Sequence, residues 1–136
     1  MPTIVTPDRR QASRILVNVP LIAKASISPS HSVIGLVLDI SKFGLAFHYL
    51  ETHDHLGLNS NIQLDLVSSE LGAKLSNIPI RVVSDCQVMS GSTFVNTSLR
   101  KCAVQFTDLT MEHRSSLTAL LFILPPDSPT PEFNQA

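Results

Sequence analysis

Three arginines fall within six residues in the stretch "DRRQASR", at Arg9, Arg10 and Arg14. The whole chain has only ten lysines and arginines, so this is a local concentration of positive charge. A guanidinium presents a planar fork of N–H donors. That fork matches phosphate oxygens and the outer edge of guanine, and its flat face stacks on bases. A second stretch, "DISKFG", places Asp39, Ser41 and Gly44 between two apolar runs. In extended chain, Asp39 and Ser41 point to the same side. A carboxylate and a hydroxyl on one face can accept from and donate to one ligand, and the adjacent N–H donors of a guanine suit the carboxylate. Gly44 allows either positive φ or a close backbone approach. Each stretch also has a plainer reading: a solvated basic arm for the first, and a turn closed by a local Asp39 bond for the second.

A third cluster, "HYLETHDH", holds His48, Glu51, His53, Asp54 and His55. These are metal-ligand types, but their spacing matches no standard site, and a polar surface loop is the better reading; no metal site is assigned. No G-x-S-x-G elbow, H-E-x-x-H pair or Walker loop occurs, so the sequence gives no reason to expect an enzyme, and no catalytic residue is assigned. Cys86 and Cys102 form no C-x-x-C pair and are read as reduced, partly buried thiols.

The elements that must position these groups are mostly strands. "ILVNVPLIAKASI", residues 15–27, is rich in β-branched residues, with Pro20 marking an edge or a bend. "SVIGLVLDI" and "GLAFHYL" flank the Asp39–Gly44 stretch as two further strands. "NIQLDLV" alternates apolar and polar residues with the period of a half-buried strand. "AKLSNIPIRVVSDCQVM" reads as one long strand or a bent pair, with Pro79 at a bulge or edge. "RKCAVQFTDL" is the last strand. The period then changes. Leu117, Leu120, Leu121 and Leu124 follow helical spacing, with Asp108 or Thr110 as the cap, Glu112 in the first turn, and Pro125–Pro126 as the stop. Roughly five to seven short strands followed by one helix suggest a small antiparallel barrel with the helix packed against it.

The chain has 136 residues, enough for one domain. Hydrophobic residues make up 43% and charged residues 15%, which supports a packed core and argues against disorder. Residues 1–8 are read as a flexible arm, 9–124 as the folded domain and 125–136 as a disordered Pro-rich tail. No apolar run approaches the roughly 20 residues of a membrane span, and the N-terminus has no long apolar signal region, so a cytoplasmic protein is expected. Net charge is −1 and aromatic content 5%, too little charge and too few stacking rings for a nucleic-acid polymer.

R-x-x-x-R at Arg10–Arg14, followed by D-x-S-x-x-G at Asp39–Gly44, resembles the PilZ domain family. Twenty-five positions separate Arg14 from Asp39. The first motif precedes the first long strand and the second lies between two strands. "CAVQFTDLTMEHRSSLTALLF" is similar to the family's last strand and helix, so the likeness covers residues 8–124. The resemblance implies a mainly β fold, a six-stranded antiparallel β-barrel with a C-terminal α-helix. It also implies binding of the bacterial second messenger cyclic di-GMP, with no other cofactor. By the same resemblance Arg10 and Arg14, helped by Arg9, grip phosphates and guanine. Asp39 and Ser41 hold a guanine on the outer face of the barrel, and Gly44 shapes the turn. The arm through Arg14 is then expected to be mobile until ligand orders it.

Three functions compete at this stage. The leading one is a cyclic di-GMP receptor that signals through an unidentified protein partner. The second is a PilZ-like adaptor in motility or secretion, with weak or no ligand binding. The third, a single-stranded nucleic-acid binder, is disfavoured by charge and composition.

Overall fold

Apolar residues alternate with polar ones along most of the chain, and the fold resolves that alternation into a closed sheet. The computed structural model describes residues 14–28, 30–51, 56–57, 62–89 and 98–125. Its strands are β1 (Ile15–Leu16), β2 (Ile22–Ser28), β3 (His31–Ile40), β4 (Gly44–Glu51), β5 (Ile62–Ser68), β6 (Ala73–Met89) and β7 (Ser98–Phe106), followed by helix α1 (Met111–Ile123). Every pairing is antiparallel. The order β3-β2-β5-β6-β7-β4 closes on itself through the β3–β4 pairing, which makes the expected six-stranded barrel. The two-residue β1 adds to β3 alongside Asp39 and Ile40. A closed sheet leaves no long unpaired edge.

The period-2 pattern is clearest in β5. Ile62, Leu64 and Leu66 are buried, whereas Gln63 and Val67 face outward. Phe47, Tyr49, Ile78, Ile80, Cys102 and Val104 fill the same interior from the neighbouring strands. Register shifts mark bulges in β3 between Val37 and Asp39, and in β6 between Val82 and Ser84. Bulges bend strands and increase twist, which a sheet of only six strands needs in order to close.

Two open alternatives are decided by the structure. The run 15–27 is not one strand. It breaks after Leu16, the stretch around Pro20 is a bend, and pairing resumes at Ile22. The long run beginning at Ala73 is a single 17-residue strand in spite of Pro79. Proline is tolerated there because Pro79 lies where β6 passes from pairing with β5 to pairing with β7.

Helix α1 packs against the barrel. Leu117, Leu120 and Leu124 are buried and Leu121 packs beside them, as the leucine spacing requires. Thr110 is the N-cap: its hydroxyl accepts from the His113 N–H at 3.0 Å. The His113 ring returns the contact, with Nδ1 3.4 Å from the Thr110 N–H, and its Nε2 lies 3.1 Å from the Ser76 carbonyl oxygen on β6. One side chain therefore caps the helix and ties it to the sheet. Thr110→Ala should lower stability by about 0.5–2 kcal/mol, read from the shift in urea midpoint. A shift near zero would mean that His113 alone fixes the helix start.

Candidate functional site

β1 is short, but its register decides the site. Ile15 pairs with Ile40 and Leu16 with Asp39, so Arg14 is delivered to the end of β3. Arg14 Nη1 donates to Asp39 Oδ1 at 2.6 Å. Residues 25 apart in sequence, one from each motif, thus meet directly. The pair is partly open to solvent: the side chains are 35% and 19% exposed. Exposed pairs of this kind contribute only about 0–1 kcal/mol to stability, so holding the fold together does not account for it. Arg14, the last residue of the arm, is thus paired with Asp39 in this structure. Arg9, Arg10 and the rest of the arm lie outside the described residues.

Ser41 behaves differently from Asp39. It is buried, and its Oγ accepts from the Phe43 N–H at 3.1 Å. The serine thus makes the local turn bond that the plainer reading assigned to Asp39, whereas Asp39 reaches across to Arg14. The Ser41 N–H donates to the Gly44 carbonyl at 2.8 Å, closing the two-residue connection Lys42–Phe43. Phe43 in turn accepts from the Phe106 N–H at 2.8 Å, which fastens the turn to the end of β7.

Gly44 is required by close approach and not by positive φ. A Cβ there would sit 2.1 Å from the Val104 carbonyl oxygen on β7, well inside contact distance. Gly35 plays the same part between β3 and β4, where a Cβ would come within 1.9 Å of the His48 carbonyl oxygen. The first of these contacts sets the spacing of the strand that follows the Asp39–Gly44 turn, and so the shape of the site.

The site therefore combines a carboxylate on the outer side of the barrel, a guanidinium already against it, a hydroxyl in a rigid turn and a glycine that admits close packing. A guanidinium is suited to anionic groups and a carboxylate to paired N–H donors. A family model described as the PilZ domain matches residues 8–122. The chain belongs to the PilZ domain family. Among solved structures, the PilZ domain of YcgR from Escherichia coli, solved with c-di-GMP, is 15% identical. Its TM-score is 0.65, over 86% of this chain and 92% of that one. MrkH of K. pneumonia in complex with c-di-GMP is 16% identical, with a TM-score of 0.64 over 85% of this chain and 52% of that one. The same protein in its apo state is 17% identical, with a TM-score of 0.64 over 89% of this chain and 53% of that one. At these identities the likeness is one of fold, and this PilZ domain spans about half the length of MrkH. Among curated proteins none is detectably similar in sequence.

A second polar cluster of this PilZ domain escaped sequence analysis. Asp85 on β6 has a side chain only 1% exposed. Tyr49 Oη lies 3.0 and 2.9 Å from its two carboxylate oxygens. Arg100 Nε donates to it at 3.0 Å and the Gly57 N–H at 2.6 Å. Tyr49 Oη also accepts from the Leu56 N–H at 3.1 Å. The cluster fastens the segment at Leu56 and Gly57 to the barrel wall. Burial first, then the hydrogen bond to Asp85 and the Asp85 charge, push the Tyr49 phenol well above its ordinary range, although the Leu56 N–H works the other way. No local pattern marks these residues, because their partners come from four separate parts of the chain.

The two cysteines are free; Cys102 is buried and Cys86 is exposed, not partly buried. Burial, with the Asp85 charge second, pushes the Cys102 thiol up to about 12. Of the histidine-rich stretch, His48 lies on β4, and residues 52–55 are outside the described set. Among the described residues no group of three potential metal ligands gathers, and no helix is long and apolar enough to cross a membrane.

Proposed function

We propose that this PilZ domain is a receptor for cyclic di-GMP, and that Arg9, Arg10, Arg14, Asp39, Ser41 and Gly44 form its site. The observation that carries the reading is the 2.6 Å contact between Arg14 and Asp39, which joins the two motifs at one place on the barrel. The c-di-GMP complexes of YcgR and MrkH, on the same fold, support it. The Arg14–Asp39 pair suggests how binding proceeds. Each phosphate offers Arg14 a stronger bidentate partner, with Arg9 and Arg10 joining from the arm. Asp39, relieved of the guanidinium, turns its oxygens to the N–H donors of a guanine. Ser41 keeps the turn rigid and contributes its O–H, and Gly44 keeps β4 close against β7. Ligand thus exchanges partners within an assembled pair, while the arm closes over it. The domain acts by binding in the cytoplasm of a bacterium; no catalytic step and no additional cofactor are invoked.

A second reading, an adaptor that works mainly through protein contacts, draws on Met111 and Phe122, which are 83% and 88% exposed on α1. Calorimetric titration with cyclic di-GMP, with GMP as the control, distinguishes the two. Saturable heat with the dinucleotide alone is expected. Asp39→Ala should weaken that binding by about 1.5–3 kcal/mol, the worth of hydrogen bonds to a charged group. The same variant should lose no more than about 1 kcal/mol of stability, because the Arg14 pair is partly exposed. A variant that unfolds, or one that binds normally, would make Asp39 a structural residue and favour the adaptor.

A further inference from the structure

Along β2, β3 and β5 the outward positions alternate with inward ones, as a barrel wall requires. The register brings several of the outward residues side by side. Leu36 pairs with Ile22 and Ile22 with Val67, one line across the three strands. On the next line Ile34 pairs with Lys24 and Lys24 with Asp65. Ile22, Ile34, Leu36 and Val67 are 40–62% exposed. Scattered surface apolar residues need no explanation. Here four of them adjoin on three neighbouring strands, with a lysine and a carboxylate set among them. Asp65 Oδ1 accepts from the Asn77 N–H at 2.8 Å, which fixes that carboxylate on the barrel wall. None of these residues belongs to the arm before Arg14 or to the tail after Pro125, both of which lie outside the described residues.

We infer that this face is covered by a second copy of the chain. A two-fold interface brings one patch against itself, so the patch must be complementary to its own image. Lys24 and Asp65 make it so. With the two-fold axis running along the strands, between β2 and β5, Lys24 lies over the partner's Asp65 and Asp65 over the partner's Lys24. Each charge then has an opposite neighbour within its own sheet and another across the interface. By the same axis Ile22 lies over the partner's Val67 and Val67 over the partner's Ile22, while Leu36 and Ile34 flank this centre on β3. Such an axis also suits the aligned packing that two twisted sheets adopt face to face. A partner of one charge sign would oppose either Lys24 or Asp65, whereas a second copy satisfies both. Three strands are about 14 Å across and the seven residues of β2 about 23 Å long. That is a small footprint, which fits a reversible dimer and not an obligate one. Leu36 and Asp39 are separated on β3 by the bulge at Val37–Asp39, so the interface ends short of the Arg14–Asp39 pair. Such a dimer stands whether or not the domain binds cyclic di-GMP.

Sedimentation equilibrium of the full chain without ligand, over a wide range of concentration, is the test. A reversible monomer–dimer equilibrium is expected. Lys24→Glu sets like charges against each other across the interface, and so does Asp65→Lys. Each should raise the dimer dissociation constant by about tenfold or more. An equimolar mixture of the two variants should associate again, because every cross-interface pair in the mixed dimer is of opposite sign. A role of Lys24 and Asp65 within one chain cannot produce that recovery. Ile22→Asp should abolish association as well, with the folded circular dichroism spectrum retained. Should Asp65→Lys lose its fold along with the Asn77 bond, Lys24→Glu and Ile22→Asp carry the test alone. A chain that is monomeric at every concentration would overturn the proposal. So would a dimer that these variants leave intact, or a mixture of folded variants that associates no better than its components.

Discussion

Asp85→Ala should cost the fold about 3–5 kcal/mol, the usual penalty for removing one partner of a buried ion pair. The carboxylate is 1% exposed and Arg100 only 14%. With Asp85 gone, the Arg100 Nε loses its carboxylate in a place that water reaches poorly. Tyr49 and the Gly57 N–H lose an acceptor at the same time. Each buried donor left unmatched costs about 1–3 kcal/mol, so the loss exceeds the net worth of any one hydrogen bond. Urea denaturation monitored by circular dichroism gives the value. Asp85→Asn should cost less, because an amide retains one acceptor oxygen. A loss below about 1 kcal/mol for Asp85→Ala would mean that the cluster is hydrated and does not fasten the Leu56–Gly57 segment.

The second large effect is expected at Leu120, 1% exposed beneath α1. Leu120→Ala removes three carbons from the contact between helix and barrel and leaves a cavity, for a cost of about 2–5 kcal/mol. Relaxation of α1 toward the barrel would place the loss at the low end of that range. A thermal melt is sufficient to detect it. An unchanged midpoint would show that the leucine stripe does not anchor the helix.

What could be read from the sequence follows the range of the interactions involved. Strand alternation in residues 62–68 and the leucine spacing of the helix are local consequences of side-chain direction, so they were visible directly. The two short motifs were visible as residue types, and their distance in the chain hid only the contact between Arg14 and Asp39. Gly44 was legible as a special position, but its reason lies in the Val104 carbonyl oxygen of another strand, 60 residues away in sequence. The break after Leu16 and the continuity of β6 through Pro79 depend on which neighbour each residue pairs with. Local propensity does not encode that choice. Tyr49, Asp85 and Arg100 were the least legible, since each is an ordinary strand residue until the barrel closes around them.

Amide NMR during titration with cyclic di-GMP is the direct test of whether Arg14 and the Asp39–Gly44 turn form a ligand site. Progressive, saturable shifts are expected at Arg14 and across Asp39–Gly44, with the Asp85 cluster on the barrel wall unmoved. The side-chain contact between Arg14 and Asp39 should also be lost as ligand is added. A spectrum unchanged at saturating ligand would contradict a site there, and so would shifts confined to α1 with Asp39 and Ser41 unaffected.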